Sequence, residues 1–334
     1  MRPVIFLMRV RWLQQFLTAS LLLALGTMNS LATTTKAQGS EQWLSPLQQQ
    51  HPLTGLILDT RSGAVISYQD LTTELLKARL VLIGEKHDNP DHHRLQLRLL
   101  EDLNKAHPYQ LVLEMLNEKQ NAGITEIQDK TESEALIRQK LDWDNRGWPW
   151  QDYGEIVIFG LQQADRLRSG NISRALLMDI YQDSAHPILD DERFKSMSTI
   201  TDDQISTIRQ QVFDSHCGSL PMEHTAPMAR IQIARDASMA YAMHQSIVEH
   251  HSAILIAGAF HIRKDFGVPA HLQAMGHKSI LTLQLQETDG DLSDWQDYTA
   301  PTEKPDYIWF TPKLTDKDYC AALRRKEGSE QAQQ

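Results

Sequence analysis

Six short apolar runs recur along the chain: GLILDT (55–60), ARLVLIGE (78–85), YQLVLEML (109–116), RALLMDI (174–180), SAILIAGA (252–259) and KSILTLQL (278–285). Each reads as a four- to six-residue strand rich in apolar residues, of the kind buried in parallel sheets. Between them, PDHHRLQLRLLEDL, WQDYGEIVIFGLQQADRL and APMARIQIARDASMAYAMHQSIVEHH space their apolar residues three and four apart, which predicts amphipathic helices. Strands alternating with helices predict an α/β protein: a mostly parallel central sheet flanked by helices.

Two stretches break the alternation. Residues 117–147 and 183–225 are polar and hold no strand-like run, so both are read as helical inserts in a single domain spanning 38–329, with a disordered tail at 330–334. At the other end, Arg2, Arg9 and Arg11 precede an apolar core from about Trp12 to Leu25 and then small residues. That is the layout of a secretory signal peptide, with small-x-small cleavage sites ending at Ala32 and Ala37. The expected product is periplasmic or secreted, and no cysteine lies near the signal for lipoprotein acylation.

Export changes the meaning of Cys217 and Cys320, which in an oxidising compartment could form one disulfide. Two cysteines make no zinc cage, and the absence of C-x-x-C-H excludes covalent c-type haem attachment. Cleavage at Ala37 removes four of the 33 basic groups and no acidic one, leaving 29 against 43 acidic residues. So acidic a surface argues against nucleic acid as a partner.

Candidate chemistry gathers where the runs end. Glu85 and His87 follow LVLIG, Glu114 follows LVL, Asp179 follows ALLM and His261 follows ILIAGAF. Ligands of open parallel sheets bind at the carboxyl ends of the strands, so these side chains are expected on one rim. Gly84-Glu85-Lys86-His87 and Gly258-Ala259-Phe260-His261 both read G-x-x-H directly after a strand, the glycine allowing close backbone approach. Asn89, Pro90 and Asp91 then mark a helix start, which puts His92 and His93 in a first turn, one near the rim and the other expected in solvent. Trp143, Trp148, Trp150 and Tyr153 sit at the start of another helix, as core anchors or as flat walls for a planar cofactor. Arg235-Asp236 lies among Ala234, Ala237 and Ala240 on a long helix able to pack closely on the sheet.

The segments VLIGEKHDNPDHHRLQLRLL, LVLEML, GWPWQDY, IARDASMA, LIAGAFHIRKDFGVPAHL and DYIWFTP resemble the ChaN-like haem-binding uptake proteins of the Tiki and erythromycin-esterase-like superfamily. The resemblance runs from about Leu56 to Cys320. It implies a homodimer that traps two haem groups face to face and serves an outer-membrane haem or iron uptake system. In such proteins a tyrosine holds each iron, while a histidine and a lysine of the other subunit hold the propionates. Mapped by motif, the iron ligand is expected to be Tyr153, with Tyr181, Tyr109 and Tyr307 as competitors. His87 or His261 and Lys86 or Lys264, helped by Arg263, are expected at the propionates.

The rival is a hydrolase of the Tiki or esterase type. His87, Glu114 and His261, supported by Glu85, would either hold zinc or manganese with a position open for water, or act without metal, His87 serving as general base.

Overall fold

The computed structural model describes residues 42–182, 191–299 and 304–321. The expected signal segment, part of the second insert and the terminal tail lie outside them. Among the described residues eight strands form one sheet: β1 (Ile57–Asp59), β2 (Ala64–Ile66), β3 (Leu80–Glu85), β4 (Gln110–Asn117), β5 (Arg166–Asn171), β6 (Ala253–Gly258), β7 (Ile280–Glu287) and β8 (Tyr307–Thr311). Their spatial order is β2-β1-β8-β7-β3-β6-β4-β5. All pairings from β8 to β5 are parallel, and only β1 runs antiparallel to its neighbours β2 and β8.

The helices are α1 (Tyr68–Leu75), α2 (Pro90–Ala106), α3 (Asn121–Ile127), α4 (Glu134–Lys140), α5 (Trp150–Gln162), α6 (Arg174–Gln182), α7 (Asp202–Ser215), α8 (Thr225–Val248) and α9 (Val268–Ala274). The period-two alternation of the central strands sends their side chains to two separate cores. On one face Val81, Ile83, Leu111, Leu113, Ile254 and Ile256 pack with Leu95, Leu99 and Leu103 of α2 and with Ile156 and Val157 of α5. On the other, Leu80, Leu82, Val112 and Leu255 meet Met239, Ala240 and Met243 of α8 and Leu272 of α9. Each fully buried aliphatic side chain of this kind contributes about 1.5–3 kcal/mol relative to exposure. Met239 and Met243 of α8 are therefore core filling.

One expected strand is a helix. RALLMDI forms most of α6, where Leu176, Leu177 and Ile180 turn inward against Ile231, Ala234 and Ala237 of α8. The strand at that point in the fold is the preceding RLRSGN. It is polar because β5 is the last strand of the sheet and only one of its edges is paired. Asp179 consequently lies exposed on α6 and ends no strand.

Cys217, just after α7, is disulfide-bonded to Cys320, 103 residues later. Closing a loop of that length contributes about 4–5 kcal/mol in the chain-entropy picture. No helix among the described residues is long and apolar enough to cross a membrane.

Candidate functional site

The first half of the site hangs on the end of β3. An added Cβ at Gly84 would stand 2.6 Å from Ile262 and 2.9 Å from the Ala259 backbone, so only glycine lets this turn press against the one that follows β6. The next residue, Glu85, is buried, and four side chains surround its two oxygens. Oε1 accepts from the Tyr153 hydroxyl at 2.7 Å and stands 3.0 Å from His87 Nδ1, while Oε2 accepts from Gln96 at 2.9 Å and lies 3.4 Å from His93 Nε2. Burial works against the charge on Glu85, but His87 and His93 beside it prevail and hold the carboxyl well below its usual range. His87 itself keeps 45% of its side chain exposed and meets Trp148 edge to face, ring centroids 4.9 Å apart. Burial there disfavours the imidazolium, yet the hydrogen bond it donates to Glu85 and the charge of Glu114 outweigh it and raise the pKa above the ordinary histidine value.

The second half joins β4, β6 and α8. Glu114 Oε2 accepts the Gly258 N–H at 2.8 Å, and Oε1 lies 3.3 Å from His261 Nε2. The other ring nitrogen of His261 is 2.6 Å from Asp236 Oδ1. All three side chains are buried. Burial penalises the imidazolium, but the two carboxylates overrule it and push His261 up to about 10. Glu114 is held down to about 2 against its own burial by His261 and His87, whereas burial dominates at Asp236 and pushes it up to about 6. Glu114, His261 and Asp236 thus titrate as one unit with His261 carrying the proton at neutral pH.

Gly258 joins the halves. A Cβ here would lie 2.8 Å from His87 Nε2 and 3.7 Å from Glu114 Oε2, so the missing side chain is the space the imidazole uses. His87 Nε2 is 4.0 Å from Glu114 Oε2, close enough to feel the charge but not to bond.

The expected divalent-metal set of His87, Glu114 and His261 is not realised. Among the described residues no three histidine, cysteine, aspartate or glutamate side chains converge as ligands. The reason is local: both nitrogens of His261 face carboxylates and carry protons, which leaves no lone pair for a metal.

The other expected residues have partners within the fold. Tyr153 is 1% exposed, its hydroxyl points at Glu85 and the His87 carbonyl, and burial with the Glu85 charge pushes its pKa far above that of a free phenol. Tyr109 donates to the Leu100 carbonyl, and Tyr307 accepts from Arg61; both rings are buried. Lys86 is ion-paired with Glu287 and Asp88, Lys264 with Asp306 and Arg263 with Asp265. Neither His92 nor His93 is in solvent, contrary to expectation. His92 Nδ1 accepts the Lys86 N–H, its Nε2 meets Thr311, and burial drives its pKa down to about 3. The sequence reading did not anticipate Gln96 or the partnership of Asp236 with His261. An aspartate inside the small-residue stripe of a sheet-facing helix is the signal that could have found the second.

A cavity of about 470 Å³ lies elsewhere, along the outer edge of β5 beside Asn121, Arg166, Arg168, Arg193 and Tyr241. It contains none of the rim residues. No curated protein matches the chain. The model of the haem-binding uptake family of the Tiki superfamily, ChaN, matches residues 71–272, which include Glu85, His87, Glu114, Tyr153, Asp236 and His261. The chain belongs to the ChaN family. A solved structure of ChaN from Campylobacter jejuni, described as showing cofacial haem binding, is 25% identical with a TM-score of 0.62 and covers 76% of this chain and 95% of its own. An erythromycin esterase mutant in its open conformation (14% identity, TM-score 0.40, 66% and 72% coverage) and a type III effector (12%, 0.39, 73% and 92%) are more distant. The ChaN sheet thus carries two histidine–carboxylate networks on its rim, one half-open and one sealed.

Proposed function

We propose that this ChaN-family protein is an exported carrier of ferric haem that serves haem or iron uptake, takes its iron ligand from the exposed phenol of Tyr181, and binds as a dimer. The observation that supports it is where the tyrosine hydroxyls go. Those of Tyr68, Tyr109, Tyr153, Tyr298, Tyr307 and Tyr319 are engaged with Asp102, Leu100, Glu85, Asp289, Arg61 and Asp88 respectively. Tyr181 on α6 is 38% exposed, has no hydrogen-bond partner among the described residues, and stands three residues from Met178, 41% exposed. A phenol beside an exposed thioether offers iron a hard anionic ligand and the macrocycle an apolar seat. Tyr241 also lacks a hydroxyl partner among the described residues, but it opens into the cavity at β5, whose walls of asparagine, serine and arginine suit a flat apolar macrocycle poorly.

The buried networks have a different role in this reading. With its phenol given to Glu85, Tyr153 fixes α5 to the end of β3 and is not offered to iron. Titration of ferric haem into the mature protein, read by absorption and by oligomer mass together, tests the proposal. Saturable binding accompanied by dimerisation is the expected outcome, and no saturable binding would defeat it.

A second reading is kept because of His87. Its Nδ1 is oriented by Glu85, its Nε2 lies in a half-open position, and Trp148 walls one side, which is the arrangement of a general base without metal. Ester hydrolysis that His87→Ala abolishes would favour it.

A further inference from the structure

Beyond Thr311 the chain leaves the sheet on the rim where His87 stands, because β8 runs parallel to β7 and β7 to β3. The Leu314 N–H meets Glu287 Oε1 at 2.9 Å, and that carboxylate also pairs with Lys86. Farther on, the Tyr319 hydroxyl donates to Asp88 Oδ2 at 2.6 Å, and Lys86 Nζ stands 5.9 Å from the centre of the Tyr319 ring. Segment 314–320 thus touches both sequence neighbours of His87. The turn they belong to is closed by the Asn89 N–H on the Lys86 carbonyl at 3.0 Å, and it carries His87 between Glu85 and Glu114. The segment then ends in the disulfide from Cys320 to Cys217, behind α7, whose Ile208 and Val212 pack with Ala229 and Ile233 of α8.

The two ends of that bridge are fastened unequally. Cys217 belongs to the left-handed stop of α7: its N–H bonds the Asp214 carbonyl at 2.8 Å, the Gly218 N–H bonds that of Phe213 at 3.1 Å, and the two residues have φ of 61° and 71°. Cys320 instead follows an exposed run, 316–319, in which Lys317 bonds Thr315 and Cys320 bonds Asp318 within the segment itself. Exposed polar contacts such as Tyr319 with Asp88 hold a segment weakly, so the covalent bond is its firm attachment. Both cysteines are only partly buried, and a reductant can reach them.

We infer that the Cys217–Cys320 bridge is a reversible redox site: it fixes 314–320 as a strap on the rim, and its reduction by a dithiol frees the strap and loosens the turn that carries His87. One thiolate of the dithiol attacks a bridge sulfur and expels the other cysteine as a thiolate; the second thiolate then attacks the mixed disulfide and expels the first cysteine. Two electrons pass to the protein, the two cysteines take up the protons the dithiol gives up, and the reductant leaves as its own disulfide. Reoxidation closes the strap again. The device acts on the turn itself, whatever ligand the rim takes.

The test treats the folded protein with dithiothreitol and follows hydrogen exchange of segments 312–320 and 84–89 by mass spectrometry, with the rate of His87 modification by diethyl pyrocarbonate read on the same samples. Reduction is expected to free both thiols, to leave the circular dichroism of the fold unchanged, and to raise exchange in both segments and the His87 rate several-fold, all reversed on reoxidation. Cys320→Ser is expected to show the released behaviour with or without reductant. A bridge that resists dithiothreitol in the folded protein overturns the redox role. Unchanged exchange at 84–89 and an unchanged His87 rate after reduction overturn the coupling to the turn. Loss of the folded signal on reduction also defeats the proposal, since the bridge would then be a staple of the whole fold. If Cys320→Ser does not fold, Tyr319→Phe carries the comparison with the bridge intact: faster exchange at 84–89 is expected, and an unchanged rate removes Tyr319 from the device.

Discussion

The two histidine–carboxylate networks on the rim are built from similar parts and differ in what surrounds them. Glu85 and His87 follow β3 on the side of α2 and α5, where His87 keeps nearly half its side chain in solvent. Glu114 and His261 lie against Asp236 of α8, with 5% or less of any of the three side chains exposed. Burial alone does not decide the protonation states, since both histidines are raised against it by their carboxylates. What burial decides is the cost of disturbance. A half-open histidine can lose its partner to water, whereas a sealed imidazolium between two carboxylates cannot.

The largest expected effect follows directly. His261→Ala leaves Glu114 and Asp236 facing each other without a proton between them, and should lower the unfolding free energy in urea at pH 7 by about 3–5 kcal/mol. His87→Ala should cost about 1 kcal/mol or less, because water replaces what is lost. Equal costs would erase the distinction between the networks.

Next comes Tyr153→Phe, which strips a buried carboxylate of one donor and should cost roughly 1.5–3 kcal/mol. Tyr181→Phe, on an exposed face, should stay within about 0.5 kcal/mol of wild type in the same urea series. A stability loss at Tyr181 as large as that at Tyr153 would place both phenols in structural roles.

The pH dependence of the sealed unit follows from the direction of its three shifts. His261 is raised in the folded state, from 6.5 to about 10, so its stabilisation is fully present below pH 6.5 and drains away as pH rises through 10. Glu114 is lowered from 4.5 to about 2, so its contribution is present above pH 4.5 and is lost as pH falls toward 2. Asp236, raised from 3.8 to about 6, favours folding below pH 3.8 and loses that contribution as pH rises through 6. Stability is therefore expected to be highest near the middle of the acidic range and to decline from pH 6.5 to 10, a slope that His261→Phe should flatten. An unchanged alkaline slope in that variant would assign the titration to another group.

The smallest effect sharpens the junction between the halves. In Gly258→Ala the new methyl group enters the space of the His87 ring, which can swing toward solvent, so the expected stability cost is only about 1 kcal/mol. The pKa of His87, followed by NMR, should fall toward its ordinary value as the ring leaves Glu85 and Glu114. An unmoved His87 titration would show that the ring does not depend on that space.

How much of this was legible depended on how completely each element is buried. β3, β4, β6 and β7 stand inside the sheet, and their apolar-rich runs announced them. β5, with one unpaired edge, is written RLRSGN and carries no such mark, so the more apolar RALLMDI beside it was mistaken for the strand. The rim followed the same logic. Glu85, His87, Glu114 and His261 were visible because they end legible strands, while Asp236 was hidden in a helix, where position along the chain does not reveal which face meets the sheet. His92 shows the converse: two adjacent histidines in a first turn suggested exposure, yet the turn after β3 and Thr311 of β8 enclose the ring. Sequence could name the tyrosines, but only their hydroxyl partners separate structural phenols from an available one.

The most direct test of the central claim is the absorption spectrum of ferric haem titrated into wild-type protein, Tyr153→Phe and Tyr181→Phe. The account predicts a saturable phenolate-type high-spin spectrum in wild type and Tyr153→Phe, and its loss in Tyr181→Phe. A phenolate spectrum that survives in Tyr181→Phe and disappears in Tyr153→Phe would contradict it.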